Sequence, residues 1–563
     1  MKHKFFTLLF TAAVIYINAL GQPVITGQVV SGGSAGDYFA SMDLTNDKGL
    51  IAGGYSSSNI SGDKTQNSRG ADDYWIVKYN RHGKIQWDKT IGGSDNELLS
   101  SVKQTKDSGY ILGGSSISNK SGEKTEDNKC NCNDQLHGFD YWIVKLNSKG
   151  QIQWDKTIGG SDNDGFAAVE QTKDGGYILG GSSSSNKSGD KTQDSRGRSD
   201  YWVIKTDNAG NIQWQRTIGG SDDDNLTAIH QTSDGGYVVV GLSNSNRSGE
   251  KTENNKCNCK KLEAPWDYWI VKLNSKGQIQ WDKTIGGSNY DYGQVVEQTR
   301  DGGYIVGGFS ESDASGDKTE NSKGATDYWI VKLDDKGNKQ WDKTIGGSGF
   351  DGNNSLSLEQ TSDGGYIIAS ESSSDKSGDK TENNICPGCL DEDGDAYFDY
   401  WVVKTDSKGN IQWDKTIGGT YDDIAYAIKE VRQNLYVIGG YSISGISGNK
   451  TIGSKGGDDY WIVKLKYTDT AKNIIASINK GDIRMPASSN NKFTFYPNPV
   501  KDMLHIQNAG KTSVFTLTNG FGKVVLTKEI AGSGSINIAH LPSGVYFIKD
   551  NSTDITQKIV VAK

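Results

Sequence analysis

Beyond residue 20 the chain has no apolar run long enough to span a bilayer. It has no excess of basic residues: 61 Lys and Arg stand against 69 Asp and Glu, for a net charge of −8. That balance argues against a nucleic-acid binder, which needs a basic face. Proline is scarce, at 7 residues, and hydrophobic residues make up only 34 %. No convincing helical period runs through the repeated region described below. What is plentiful is glycine (72), tyrosine (26) and tryptophan (14). Glycine turns with β-branched and aromatic residues read as all-β.

The N-terminus is the one apolar stretch. Lys2 and Lys4 precede an apolar run from Phe5 to Leu20, and Ala19-Leu20-Gly21 offers small residues at the cleavage offsets. Residues 1–21 are expected to be a secretory signal peptide cut before Gln22. A membrane anchor is the rival, against which the run is short and interrupted by Tyr16 and Asn18. No cysteine follows it, so a lipoprotein is not expected.

One sentence is written seven times. Asp-Tyr-Trp recurs with its Trp at 75, 142, 202, 269, 329, 401 and 461. A period near sixty with strand-like patterning implies a repeated β unit stacked on its neighbours. In the copy at 159–214, "GFAAVEQT", "YILGGSS", "DYWVIKTD" and "IQWQRTI" read as four strands joined by glycine-bearing turns and one long loop. The fourth-strand Trp appears six times only, at 87, 154, 214, 281, 341 and 413. Copy seven lacks that strand, while "VITGQVV" at 24–30 is a spare one ahead of copy one. A closed ring predicts this match of one missing and one surplus strand. The expected fold is therefore a seven-bladed β-propeller over 22–466, closed by its N-terminal strand. In these repeats the region resembles the secreted bacterial β-propeller repeat families, with a closure similar in kind to that of WD-repeat proteins. The resemblance speaks to fold and little to chemistry.

Copies can be compared with one another. After each Gly-Gly-Ser or Gly-Gly-Thr an acidic residue recurs: Asp37, Glu97, Asp164, Asp224, Asp291, Asp351 and Asp423. A propeller places these in a ring at one mouth of its channel. They read either as a site for a cation or cationic ligand, or as carboxylates that satisfy backbone N–H groups in a turn and fix blade packing. The loop "SGDKT" keeps its lysine in every copy: Lys64, Lys124, Lys191, Lys251, Lys318, Lys380 and Lys450. It lacks the glycine-rich lead and following helix of a phosphate loop. The lysine is expected to pin the loop through an acidic neighbour, with the marker aspartates Asp73, Asp140 and Asp200 as partners. "TKDGGYI" superficially resembles the Asp-box turns of sialidases, but the following Thr-Trp and an arginine cluster are both missing, so it reads as a hairpin turn.

All six cysteines lie in inserts of copies two, four and six: Cys130 and Cys132, Cys257 and Cys259, Cys386 and Cys389. Secretion favours disulfides, and the distance between alternate blades favours pairing within each loop. Soft-metal binding is the rival, with His137 the only histidine nearby. Copy six adds "LDEDGDAYFD", in which Asp391, Asp393 and Asp395 could offer oxygens to calcium or form a solvated acidic loop. By connectivity the inserts, the "SGDKT" loops and the acidic ring share one face, the expected working surface.

After a polar linker at 467–492, residues 493–563 read as a small β-sandwich. Tyr496-Pro497-Asn498-Pro499, Gly544-Val545-Tyr546-Phe547 and the terminal strand with Lys558 resemble the type A C-terminal sorting domain of the type IX secretion system of Bacteroidota. The resemblance implies export by that machinery, tail removal, and release or attachment at the cell surface. The expected role is a monomeric, non-catalytic binding or adhesion scaffold for an extracellular glycan or protein, with no cofactor beyond the calcium alternative. A hydrolase or lyase at the channel mouth is the alternative. It needs unlike groups close together, and His230 is the one unusual residue on an inner strand.

Overall fold

The computed structural model describes residues 21–130, 138–257, 265–468, 494–519, 523–551 and 555–563. The expected signal peptide up to residue 20, most of the linker, Cys132, His137 and Cys259 lie outside them. The chain forms two compact units, Met1–Asp469 and Thr470–Lys563. Among the described residues every helix-or-strand element is a β-strand.

The first unit is a seven-bladed β-propeller. Blade I is Asp37–Leu44, Leu50–Ser56, Asp73–Tyr79 and Ile85–Ile91, in that order from the channel outward. Blades II to VI repeat the meander at Glu97–Ile158, Asp164–Ile218, Asp224–Ile285, Asp291–Ile345 and Ser357–Ile417. The third strand, "DYWIVKL", is buried along its whole length because blades press on both of its faces. The fourth strand, "IQWDKTI", exposes its first residues because it lies at the rim.

Blade VII has three strands of its own, Asp423–Arg432, Leu435–Ser442 and Asp459–Lys466, and its fourth is Val24–Ser31. That strand runs antiparallel to the third, with Val30 opposite Trp461 and Gln28 opposite Val463. The N-terminus thus fills the place that the chain leaves empty at the end of copy seven.

The apolar core lies between blades rather than within them. The cluster joining blades I and II includes Ile51, Ile76, Leu99, Val102 and Trp142. Equivalent clusters join each following pair. The last, with Phe39, Met42, Trp75, Ala427, Tyr460 and Ile462, joins blade VII back to blade I. Seven junctions for seven blades make a closed circle, so every blade buries both faces. Blade VI departs from the pattern. Its inner strand is short, Ser357–Gln360, because "GNNS" lengthens the approach. The buried carboxylate of Glu371 holds that extra chain by accepting from the N–H groups of Asn353 (2.8 Å) and Asn354 (2.6 Å).

The second unit is the separate small β domain expected, its five strands joined in one hydrogen-bonded sheet. Its strands of 17 and 14 residues, Met503–Asn519 and Val524–Asn537, break register between Gln507 and Thr512. The first half pairs with Thr494–Tyr496 and the second with Gly544–Asp550. Both halves contribute to a single core with Leu504, Ile506, Phe515, Leu517 and Ile548.

Candidate functional site

Each acidic residue of the ring opens an inner strand, except that Asp351 stands ahead of the shortened one. All seven are fully buried. One carboxylate oxygen accepts the N–H of the second glycine of Gly-Gly-Ser or Gly-Gly-Thr at 2.5–2.6 Å in every blade, as Gly160 N does to Asp164 Oδ2. In six blades it also accepts a serine hydroxyl from the long loop, as Ser185 Oγ gives at 3.1 Å. The backbone N–H of each donates to the preceding blade, as Asp164 N does to Phe139 O at 2.7 Å. Burial pushes the carboxyls of Asp164, Asp224, Asp291, Asp351 and Asp423 up to about 6. The ring seams one blade to the next and offers no open face to a ligand.

The lysine of "SGDKT" is buried in all seven copies. Its Nζ donates to the serine that ends the second strand, at 2.5–3.0 Å. In five copies it lies over the marker Trp, as Lys191 does at 5.8 Å from the Trp202 ring. The expectation of a direct acidic partner is corrected here. Serine hydroxyls and the indole face take the charge, and burial lowers Lys191 to about 8. The acid beside it points instead to a cation of the preceding blade, in Arg69–Glu123, Arg196–Glu250 and Lys256–Asp317. The marker aspartates cap their own loop: Asp200 Oδ2 accepts Arg196 N at 2.5 Å.

Two recurrent contacts were missed in the sequence. The lysine of "DYWIVK" is buried and pairs with the aspartate of the "KDGG" turn, as in Lys145–Asp107 at 2.9 Å and Lys272–Asp234 at 2.9 Å. The aspartate of "QWDK" accepts the marker indole N–H, as Asp155 does from Trp142 at 3.0 Å, together with the N–H of Thr125. Their recurrence in six and five of the seven copies was the available signal.

One residue before the end of the shared inner-strand register, the seventh position in six blades and the third of the short strand in blade VI, the blades differ. In the same register stand Asp43, Lys103, Glu170, His230, Glu297, Glu359 and Lys429. These line the channel towards the short-turn face, where Asp43, Lys103 and Glu170 edge an opening with Asn46 and Lys106. His230 Nδ1 lies 2.9 Å from Glu170 Oε1. Burial opposes the imidazolium, but the Glu170 hydrogen bond and charge, helped by Glu297, outweigh it and raise the His230 pKa. Lys429 Nζ lies 3.3 Å from Glu359. Each of the three other carboxylate contacts ties one blade to the next, as Glu170 Oε2 does by accepting Gln231 N at 3.0 Å.

On the long-loop face Cys386 and Cys389 form a disulfide with Cα atoms 5.4 Å apart. Cys130 and Cys257 are also disulfide-bonded. The calcium alternative finds no geometry. Asp391 Oδ1 accepts the N–H groups of Asp393 (3.0 Å) and Asp395 (2.8 Å), a self-capped turn. Among the described residues no three His, Cys, Asp or Glu converge as a metal site.

In the second unit the Tyr496-Pro497-Asn498-Pro499 motif anchors the last strand. Asn498 Oδ1 accepts Val560 N at 2.8 Å, and its Nδ2 donates to Lys558 O at 3.2 Å. Tyr546 donates to Pro542 O at 3.0 Å from a buried ring.

Residues 494–562 match the family model described as the secretion system C-terminal sorting domain. The chain is thus a propeller carrying a type IX sorting tail, a secreted or cell-surface protein. Among the described residues no helix is long and apolar enough to cross a membrane. The regulatory protein FlaEY of Caulobacter vibrioides is 26 % identical over 145 residues, which span 26 % of this chain and 15 % of that protein. Among solved structures, PorZ, a surface component of the type IX secretion system of Porphyromonas gingivalis, aligns over 96 % of this chain and 75 % of its own at 11 % identity and a TM-score of 0.25. A Synechocystis apocarotenoid oxygenase aligns over 79 % and 97 % at 10 % identity and a TM-score of 0.31.

Proposed function

We propose that the chain is a secreted, non-catalytic binding scaffold that recognises an extracellular glycan or protein through the long-loop face of its propeller. On this reading residues 1–21 direct secretion, 467–492 link the units, and the type IX machinery exports the chain as a monomer and removes the tail. One observation carries the reading: the roots of the seven long loops are locked alike, each by a buried lysine that donates to the serine ending the second strand, while their tips differ. Rigid roots with variable tips suit recognition, because ordered loops lose less entropy on binding. Replacing the inserts of blades II, IV and VI by the short loop of blade III tests it. Binding of the mature chain to a glycan or matrix-protein array should disappear with the melting temperature unchanged. Retained binding would contradict it. Deleting 494–563 should abolish export.

A second reading, a hydrolase or lyase at the channel, is favoured by the His230–Glu170 pair, an acid and a base 2.9 Å apart. Polysaccharide cleavage by the wild-type chain that is lost in His230→Gln would establish it.

A further inference from the structure

Six of the seven blade junctions are finished at the short-turn side in the same way. The fourth-strand Trp of one blade meets the Tyr that opens the second strand of the next, with ring centroids 5.6–5.9 Å apart from Trp87–Tyr110 through to Trp413–Tyr436. In five of them a glycine of the next blade lies on the indole face, and in the sixth Tyr467 stacks on Trp413. A Cβ at Gly150 would come 3.0 Å from Trp87, and one at Gly277 2.7 Å from Trp214.

The seventh junction has neither ring. Trp87 stands opposite Lys78 in blade I, and in blade VII the residue opposite Lys464 is Gly27. Leu50 stands where the other blades have Tyr110 and its equivalents. A cavity of about 140 Å³ opens there, floored by Gly27, Leu44, Leu50, Val437 and Ile462. Roughly 150 Å³ of apolar cavity is enough to hold benzene. Two core residues show through here. Ile462 and Val437 are 7 % and 9 % exposed, where their counterparts Ile76 and Ile111 are 0 %. The rim carries Lys48, Arg81, His82 and Lys464, and no carboxylate lines the opening.

We propose that this junction is a ligand pocket for a planar aromatic ring of indole size that bears a carboxylate. The six filled junctions show what the space is shaped to hold, since each contains the chain's own indole. The cationic rim selects for the anionic substituent. The pocket is separate from the long-loop face and does not depend on the function proposed for it.

Indole-3-acetate is the probe, titrated into the full mature chain by calorimetry with indole as the uncharged control. The wild type should bind one indole-3-acetate saturably, and indole about tenfold more weakly or worse. Gly27→Trp should remove binding while the melting temperature holds or rises, because a Cβ at Gly27 meets only Lys464 Cβ, at 3.8 Å. Arg81→Gln with Lys464→Gln should bring indole-3-acetate down to the affinity of indole. No saturable binding by the wild type, equal binding of indole, or undiminished binding by a folded Gly27→Trp variant would overturn the proposal. Should Gly27→Trp fail to fold, Leu50→Trp, which projects into the same space, gives the same two outcomes.

Discussion

The hydroxyl of Tyr460 donates to the backbone carbonyl of Trp75 at 2.9 Å, from the last blade to the first. It is the seventh member of a cycle. Tyr74 reaches Trp142 O, Tyr141 reaches Trp202 O, Tyr201 reaches Trp269 O, and so on to Tyr400 and Trp461 O, at 3.0–3.3 Å. The marker Asp-Tyr-Trp is therefore a blade coupler. Its Tyr serves the next blade, and its Trp accepts from the blade before.

A closed cycle makes its members equivalent. Tyr460→Phe and Tyr201→Phe should each cost about 1–3 kcal/mol, since each leaves a buried carbonyl without its donor. Urea denaturation of the two variants measures it. A clearly smaller loss for Tyr460→Phe would mean an open array.

Lys191→Ala removes a buried cation that donates to Ser183 Oγ, Ser185 O and Ser195 Oγ at 2.6–2.9 Å. The expected cost is about 2–4 kcal/mol, since it empties a packed site and orphans buried oxygens. Lys187→Ala, on the exposed side of the same loop, should stay within about 0.5 kcal/mol. Denaturation midpoints decide between the two.

Asp164→Asn and Asp224→Asn separate a structural ring from a cation site. Both variants should melt at lower temperature, because the Gly160 and Gly220 N–H groups lose a charged acceptor. Calcium titration should give the same result for variants and wild type. A calcium-induced rise in melting temperature that vanishes in the variants would restore the cation reading.

Stability should rise as pH falls from 7.5 to 5. Burial pushes the marker carboxyls of Asp140, Asp267, Asp399 and Asp459 up to about 7, from 3.8 in the unfolded chain. The folded state then holds protons that the unfolded state has lost. This contribution is complete below about pH 4, shrinks steadily as pH rises, and is gone above about 7. The pin lysines, lowered by burial to about 8 from 10.5, act only above that window. Asp107 and Asp234 are slightly buried, which works the other way, but hydrogen bonds from threonine and lysine hold them at about 2. Their share is lost only as pH falls below about 4. Scanning calorimetry across pH 3 to 8 should find a maximum near 4. A melting temperature that falls steadily from 7.5 to 5 would contradict the assignment.

The blade count, the four-strand meander and the closing strand could all be read from the sequence, because copies within one chain align themselves. The pairing of Trp87 with Tyr110 could not, since it crosses a junction between copies. The channel residues from Asp43 to Lys429 were hidden for the opposite reason. They vary between copies and look like noise until register puts them in one ring. The acidic ring left two readings open, because recurrence marks a shared need without saying whether a ligand or a neighbouring blade supplies it; burial and the contacts to backbone N–H groups favour the blade. Gln28 is the clearest case of both. In "VITGQVV" it looks like a stray polar residue, yet its Oε1 accepts Trp461 Nε1 at 3.3 Å and Thr451 N at 3.2 Å, the task done by Asp155 in blade II.

Amide hydrogen exchange of the mature chain tests the closure most directly. Residues Val24–Ser31 should exchange as slowly as Asp459–Lys466, and the two segments should lose protection together on mild denaturation, because they form one ladder. Rapid exchange in Val24–Ser31 with Asp459–Lys466 still protected would contradict it.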